Sequence, residues 1–215
     1  QQINRQVFQQ PELVVLNMVV LGEHLDSLAA NLPRRWETPR VLSTAQAQNF
    51  WKDEAGEYWR AISFIEDSEV LEKVESLEHA QEIGIGLGMF HWVISSLSPE
   101  KLADTLEGFH ITPMYLQQYE DVLAKRFSCG KATPTHPLSA TAELTAEQAE
   151  QVEYCLDFVE SRREWACVLE QAKAEGKLQL RPIHGDPKVN NIMVGKDGKA
   201  ISLIDLDTIK PGLVH

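Results

Sequence analysis

The chain has 215 residues, 43% of them hydrophobic, enough for one large domain or two small lobes around a proper core. Its 20 Lys and Arg against 32 Asp and Glu leave a net charge of −12, and an acidic surface repels nucleic acid and anionic membrane, so neither is expected as a partner. No run approaches the roughly 18 apolar residues that a membrane span needs, and Cys129, Cys155 and Cys167 are odd in number and follow no metal-ligand spacing. The last two fall on what reads as one helix, about 18 Å apart and beyond disulfide reach. Three reduced thiols in a cytoplasmic protein are expected.

In chain order, Gln1 to about Arg5 reads as the end of a strand. Pro11 suits the first position of a helix running from residue 12 to about 30. Leu13, Leu16, Val20, Leu21, Leu25 and Leu28 recur on it at three- and four-residue intervals and predict one apolar face. Residues 39–43 and 57–65 read as an antiparallel pair around the turn Lys52-Asp53-Glu54-Ala55-Gly56. Residues 77–95 form a second strong helix, with Ile83, Leu87, Phe90 and Ile94 on a shared face. Gly84, Gly86 and Gly88 would let a neighbouring backbone come close. They are no phosphate loop, because no strand leads into them and the Gly-x-Gly-x-x-Gly spacing is absent. His91 and Trp92 are expected to complete the core packing of this helix.

Gly108-Phe109-His110-Ile111-Thr112-Pro113 is a polar-aromatic stretch before a helix opening near Met114. A desolvated ligand bearing hydroxyls needs donors and acceptors beside an aromatic surface, which His110 and Thr112 would supply; an equal alternative makes Thr112 a helix cap. Residues 128–140, rich in Pro, Thr, Ser, Gly and Lys, read as a mobile loop. Thr145 with Gln148 makes a capping box at the head of helical sequence running to about residue 175, where Gly176 is placed for a C-cap. Val152, Leu156, Val159, Val168 and Leu169 are expected to turn inward there, and residues 160–164 to be a solvated face.

The chemistry is concentrated near the end, in Ile183-His184-Gly185-Asp186-Pro187-Lys188-Val189-Asn190-Asn191-Ile192-Met193-Val194 and Leu203-Ile204-Asp205-Leu206-Asp207. These read as a strand, a polar loop, a hairpin and a second acidic loop. Asp186 precedes Asn191 by the interval that separates the base Asp from the metal-binding Asn of the protein-kinase catalytic loop. Asp205 ends the next hairpin, where a second metal ligand is expected. Polar groups converging in this way suit phosphoryl transfer, which depends mostly on positioning and on neutralising phosphate charge. Asp186 is the candidate catalytic group that takes or aligns the proton of an attacking hydroxyl. Lys188 is a second, a cation able to offset charge on the transferring group. Asn191 and Asp205 offer hard oxygens suited to Mg²⁺, with Asp207 as a further metal candidate. His184 reads as a structural residue that pins the loop.

His-Gly-Asp-x-x-x-x-Asn followed by Ile-Asp-x-Asp resembles the signature of the aminoglycoside phosphotransferase/choline kinase family of small-molecule kinases. The stretches Ile3-Asn4-Arg5-Gln6-Val7-Phe8, Tyr58-Trp59-Arg60 with Phe64-Ile65-Glu66, and Gly108 through Pro113 are similar to those of its N-acetylhexosamine 1-kinase branch, which phosphorylates N-acetylglucosamine or N-acetylgalactosamine at the anomeric hydroxyl. The resemblance implies an enzyme using ATP and Mg²⁺ on a small-molecule substrate, an amino sugar. The fold it implies is α+β, two-lobed and protein-kinase-like, with a small β-rich lobe over residues 1–65 and a larger, mostly helical lobe over residues 66–215.

By the same resemblance the first helix is the counterpart of the kinase C-helix, and Glu23 on it is a candidate partner for a phosphate-binding lysine, an exposed helix glutamate being the simpler reading. Phe64, Ile65 and Glu66 would cross between lobes and bind adenine through their backbone, while His110 and Thr112 would bind the acceptor. No lysine precedes Lys52, so that lysine is expected before Gln1 or replaced; Arg5 is a candidate, a solvated surface arginine the simpler reading. Relatives carry a glycine-rich strand-turn-strand before this start and helices after this finish, so an excerpt of a longer protein is expected. Another alcohol (an aminoglycoside, choline or homoserine) and a catalytically silent binding module are the alternative readings, and the oligomeric state is left open.

Overall fold

The computed structural model describes residues 1–128 and 145–213. The chain divides into two compact units, residues 1–107 with 180–215, and residues 108–179. The lobe boundary expected after residue 65 falls inside the first unit.

The first unit opens with β1 (Gln2–Ile3), α1 (Pro11–Leu28), β2 (Val41–Leu42), β3 (Trp51–Lys52), β4 (Tyr58–Trp59), β5 (Ala61–Ile62), β6 (Ser68–Val70) and α2 (Leu77–Ile94). The second holds α3 (Thr112–Ser128), α4 (Ala146–Glu160) and α5 (Val168–Ala174). The chain then returns to the first with β7 (Arg181–Ile183), β8 (Ile192–Gly195), β9 (Ala200–Leu203) and β10 (Lys210–Gly212). The architecture is therefore α+β, with four small antiparallel sheets among the described residues, ordered β1-β4-β3, β2-β5, β6-β8-β9 and β7-β10. The pair expected from residues 39–43 and 57–65 is present as β2 on β5, Val41 opposite Ile62. The β3–β4 hairpin lies between them and closes at Gly56, whose φ of +83° a side chain would disfavour.

Strands this short hold little by themselves; the core is supplied by α1, α2 and the β8–β9 hairpin. Met18, Leu21 and Leu25 of α1 join Phe90, Val93 and Ile94 of α2 in one cluster, against Ile192, Leu203 and Ile209. The face that α1 buries is turned from the expected one: Val14, Val15, Met18, Leu21 and Leu25 are inside, while Leu16 is 46% exposed. Because α1 is apolar almost all round, spacing alone admits more than one stripe, and Asn17 decides between them. Its fully buried amide donates to the carbonyls of Ala103 and Ile209 and accepts from the Ala103 N–H, each at 2.8 Å. A buried amide has to be satisfied, so those partners set the rotation of the helix. By length and composition Pro11–Asn31 is also apolar enough to cross a membrane. This corrects the expectation that no run approaches a membrane span: Glu12, Asn17 and Glu23 interrupt the apolar residues without making the stretch polar on average.

On α2 only one of the three glycines meets the expectation. A Cβ at Gly86 would lie 3.0 Å from Ile192 Cγ2 and 3.1 Å from Ala200 Cβ, whereas Gly84 and Gly88 have nothing within 4 Å. His91 and Trp92 do not complete the core, since both are exposed.

In the second unit the capping box of Thr145 and Gln148 is formed in both directions. The single helix expected from there to residue 175 is broken. α4 ends at Glu160, a 3-10 stretch Arg163–Cys167 intervenes, and α5 follows, with Gly176 at φ +72° just beyond it. Val152, Leu156, Val159 and Leu169 are half-buried, and Val168 is exposed. The solvated face of residues 160–164 carries an inward member, Arg163, which pairs with Glu120 and with Glu160. Cys155 and Cys167 are free and exposed. Cys129 and all but the first residue of the loop expected at 128–140 lie outside the described residues, Ser128 being the last residue of α3.

Candidate active site

The polar loop leaves β7 at Ile183 and is fixed by the next residue. His184 is 3% exposed. Its Nε2 lies 2.8 Å from the Ile204 carbonyl and so carries the proton, and its Nδ1 accepts from the Asp186 N–H at 3.3 Å. Burial pushes its pKa below the usual imidazole value, against the Ile204 hydrogen bond and the charges of Asp205 and Asp186. A neutral ring with both nitrogens in use positions the loop; it is not placed as an acid or base. Gly185 has φ +87°, and a Cβ there would sit 2.6 Å from the Thr208 carbonyl oxygen, so only glycine allows the polar loop to pass the acidic one. Thr208 Oγ1 closes the junction by donating to the His184 carbonyl at 2.8 Å.

Asp186 and Lys188 form an ion pair of 2.7 Å at the surface end of the loop. The Asp186 hydrogen bond and charge, with the charge of Asp205 added, raise the pKa of Lys188 above the usual lysine value, so it remains a cation. The 3-10 turn Val189–Asn191 then carries Asn191 inward to 6% exposure. Asn191 Nδ2 donates to the Asp186 carbonyl at 3.0 Å. The amide nitrogen is thus engaged within the loop, and the amide oxygen is the atom offered to a ligand. The Asn191 carbonyl accepts from Ile204 N–H at 2.8 Å, which ties the hairpin to the acidic loop. There Asp205 adopts a left-handed conformation, φ +63°. Such a backbone in a residue other than glycine costs on the order of 1–3 kcal/mol and gathers at functional sites.

Asn191 and Asp205 line one cavity of about 400 Å³ within the first unit. Ile62, Phe64, Ile65, Met193 and Ile204 give it an apolar portion; Gln1, Arg60, Asn191 and Asp205 give it a polar one. Two of the three residues expected to contact adenine are therefore in the wall. Phe64 is 80% exposed there, while Ile65 is buried against Met193 and Ile201. Glu66 is not part of the wall, and its carbonyl accepts from Arg35 Nη2 at 3.0 Å. Asp207 does not join Asn191 and Asp205 in the wall either; its carboxylate pairs with Arg60 Nη2 at 2.6 Å. His110 and Thr112 belong to the second unit. The His110 N–H donates to the Tyr115 hydroxyl at 2.8 Å, and Thr112 begins α3 and lines an apolar pocket of about 390 Å³ with Tyr115, Phe158 and Trp165. Arg5 lies at the surface 3.7 Å from Glu57, and Glu23 is exposed.

Among the described residues no three His, Cys, Asp or Glu side chains gather as a metal cage. The set that lines the cavity is one carboxylate, on the exposed Asp205, and the amide of the buried Asn191. That suits Mg²⁺, which is commonly held by one or two carboxylates and completes its octahedron with substrate phosphates and water. Sequence reasoning quoted Arg60 only within the stretch Tyr58-Trp59-Arg60 and gave it no place in the site, although a signal was present. Tyr58 is buried and Trp59 exposed, and period-2 alternation brings Arg60 back to the inner face.

The model of the phosphotransferase enzyme family matches residues 22–215. The match spans Asp186, Lys188, Asn191, Asp205 and Asp207 and takes in every cavity-lining residue except Gln1 and Met18.

Proposed function

The chain belongs to the phosphotransferase enzyme family, and we propose that it transfers the γ-phosphate of ATP, with Mg²⁺, to the anomeric hydroxyl of an N-acetylhexosamine. Membership carries a kinase-type reaction on a small molecule and a protein-kinase-like fold. One observation carries the nucleotide reading: Asn191 and Asp205 share a cavity wall with Phe64 and Ile65. Its apolar part fits the faces of a purine, and its polar part offers the oxygens that a metal-bound triphosphate needs. The amino-sugar acceptor rests on the resemblance of Tyr58-Trp59-Arg60, Phe64-Ile65-Glu66 and Gly108 through Pro113 to the N-acetylhexosamine kinase stretches, with His110 and Thr112 as the acceptor contacts.

In this mechanism Asp186 accepts the proton of the acceptor hydroxyl as that oxygen bonds to the γ-phosphorus and the bond to the β,γ-bridging oxygen breaks, leaving ADP. Lys188, already beside Asp186 at 2.7 Å, offsets charge on the group in transit. Asn191 Oδ1 and the Asp205 carboxylate would hold Mg²⁺, which would supply neutralisation of phosphate charge. Because Asn191 also bonds the Asp186 backbone, the metal ligand and the base keep a fixed relation, which is what a reaction governed by positioning requires.

The test is phosphorus NMR of ATP with N-acetylglucosamine, N-acetylgalactosamine, choline or kanamycin. A sugar 1-phosphate is expected from the first two. Asp186→Asn should abolish it while ATP still binds; unchanged turnover would remove the role given to Asp186, and product from choline or kanamycin alone would replace the acceptor. ATP binding without product from any of the four would favour a silent binding module.

A further inference from the structure

Arg60 has a setting that the reaction described so far does not use. It lies between β4 and β5, with its backbone N–H and carbonyl both paired to Gln1 at 2.8 Å. Its side chain is 8% exposed, far below the surface Arg5. Nε donates to Gln1 Oε1 at 3.0 Å, Nη2 meets Asp207 Oδ1 at 2.6 Å, and Nη1 meets only the thioether sulfur of Met18, at 3.1 Å. A guanidinium has five N–H donors, and a thioether is a weak acceptor, so this one retains donor capacity. It does so in the wall of the cavity that holds Asn191 and Asp205, where it is the only cationic side chain among the described residues.

Two carboxylates and a bound triphosphate would bring far more negative charge to this place than Mg²⁺ and Lys188 offset. A largely desolvated cation there is worth more than one at the surface, and its planar fork matches phosphate oxygens. We propose that Arg60 is the cation that receives the phosphate chain of the nucleotide, and that Asp207 is its counter-ion when no nucleotide is bound, so that Asp207 and phosphate compete for one guanidinium. The inference rests on the nucleotide reading of the cavity. It gives Asp207 the work of holding Arg60 ready and desolvated but not uncompensated, in place of the metal ligation its spacing suggests.

The competition makes opposite predictions for the two partners, read by calorimetric titration of Mg·ATP and, separately, of adenosine. Wild-type protein binds both. Arg60→Met weakens Mg·ATP on the order of ten- to a hundredfold, as expected for a lost charged hydrogen bond, and leaves adenosine within about twofold; Arg60→Lys recovers part of the loss. Asp207→Asn removes the competitor and tightens Mg·ATP severalfold with adenosine unchanged. Circular dichroism and thermal unfolding establish that each variant is folded. If Arg60→Met does not fold, Arg60→Lys and Asp207→Asn make the same comparison. Equal loss of ATP and adenosine in a folded Arg60 variant, or no loss of either, overturns the role of Arg60 and leaves the kinase reading standing. Weaker Mg·ATP binding by Asp207→Asn overturns the competition and returns Asp207 to the metal. Wild-type protein that binds no Mg·ATP overturns the nucleotide reading itself and this inference with it.

Discussion

Gly185 is where the polar loop and the acidic loop cross, and its φ of +87° and the 2.6 Å between a built Cβ and the Thr208 carbonyl leave no room for a side chain. Gly185→Ala should lower stability by about 2 kcal/mol or more, the sum of a left-handed non-glycine backbone and a contact that must shift, read as a lower urea midpoint. His184 makes the same junction sensitive to acid. Its pKa in the folded chain lies below the value near 6.5 of an unfolded imidazole, so between the two values the unfolded chain binds more protons. The stability contributed by the neutral ring is complete above pH 6.5 and is lost as pH falls through the folded value. Unfolding midpoints from pH 7.5 to 5 should decline, and His184→Gln should flatten that part of the slope even though it starts from a lower stability. At this scale the sequence was informative because the contacts among the candidate site residues are local: Asp186, Lys188 and Asn191 lie within six consecutive residues, and one 3-10 turn sets their relation. Arg60 and Asp207 were harder to read, since what each does depends on a partner 147 residues away.

Whole elements were legible in their existence and less so in their rotation. α1 and α2 begin and end close to where periodicity puts them, but α1 turns the face chosen by Asn17 inward, and the stripe of three glycines on α2 reduces to one working position. That asymmetry can be measured. Gly84→Ala and Gly88→Ala add a methyl in open space on a helix interior and should stabilise by about 0.5–1 kcal/mol. Gly86→Val drives side-chain carbon into Ile192 and Ala200 and should cost about 1–3 kcal/mol. Equal effects at the three positions would mean that α2 does not approach the β8–β9 hairpin as described. The break between α4 and α5 was not readable because the run of good helix formers continues through it. Residues 161–167 leave the α-helix although no glycine or proline marks the place.

For the molecule as a whole, the family and the chemistry were open to sequence because a phosphoryl-transfer site needs a few polar groups at fixed intervals, and intervals survive in one dimension. The cavity was not, because its wall is assembled from Gln1, α1, β5, the stretch after it, β8 and the acidic loop, and no periodicity reports which of their side chains meet. The central claim is that Asn191 and Asp205 hold a metal-bound nucleotide in that cavity. Electron paramagnetic resonance of Mn²⁺, substituted for Mg²⁺ and titrated with ATP, tests it most directly. Asp205→Asn keeps a residue that tolerates the left-handed backbone while removing the charge, so the fold should persist. Wild-type protein should take Mn²⁺ into a ternary complex only with ATP present, and Asp205→Asn should weaken that uptake by more than about a hundredfold, beyond the roughly 10–100-fold of a merely supporting contact. Mn²⁺·ATP bound as tightly by the variant as by the parent would contradict the account.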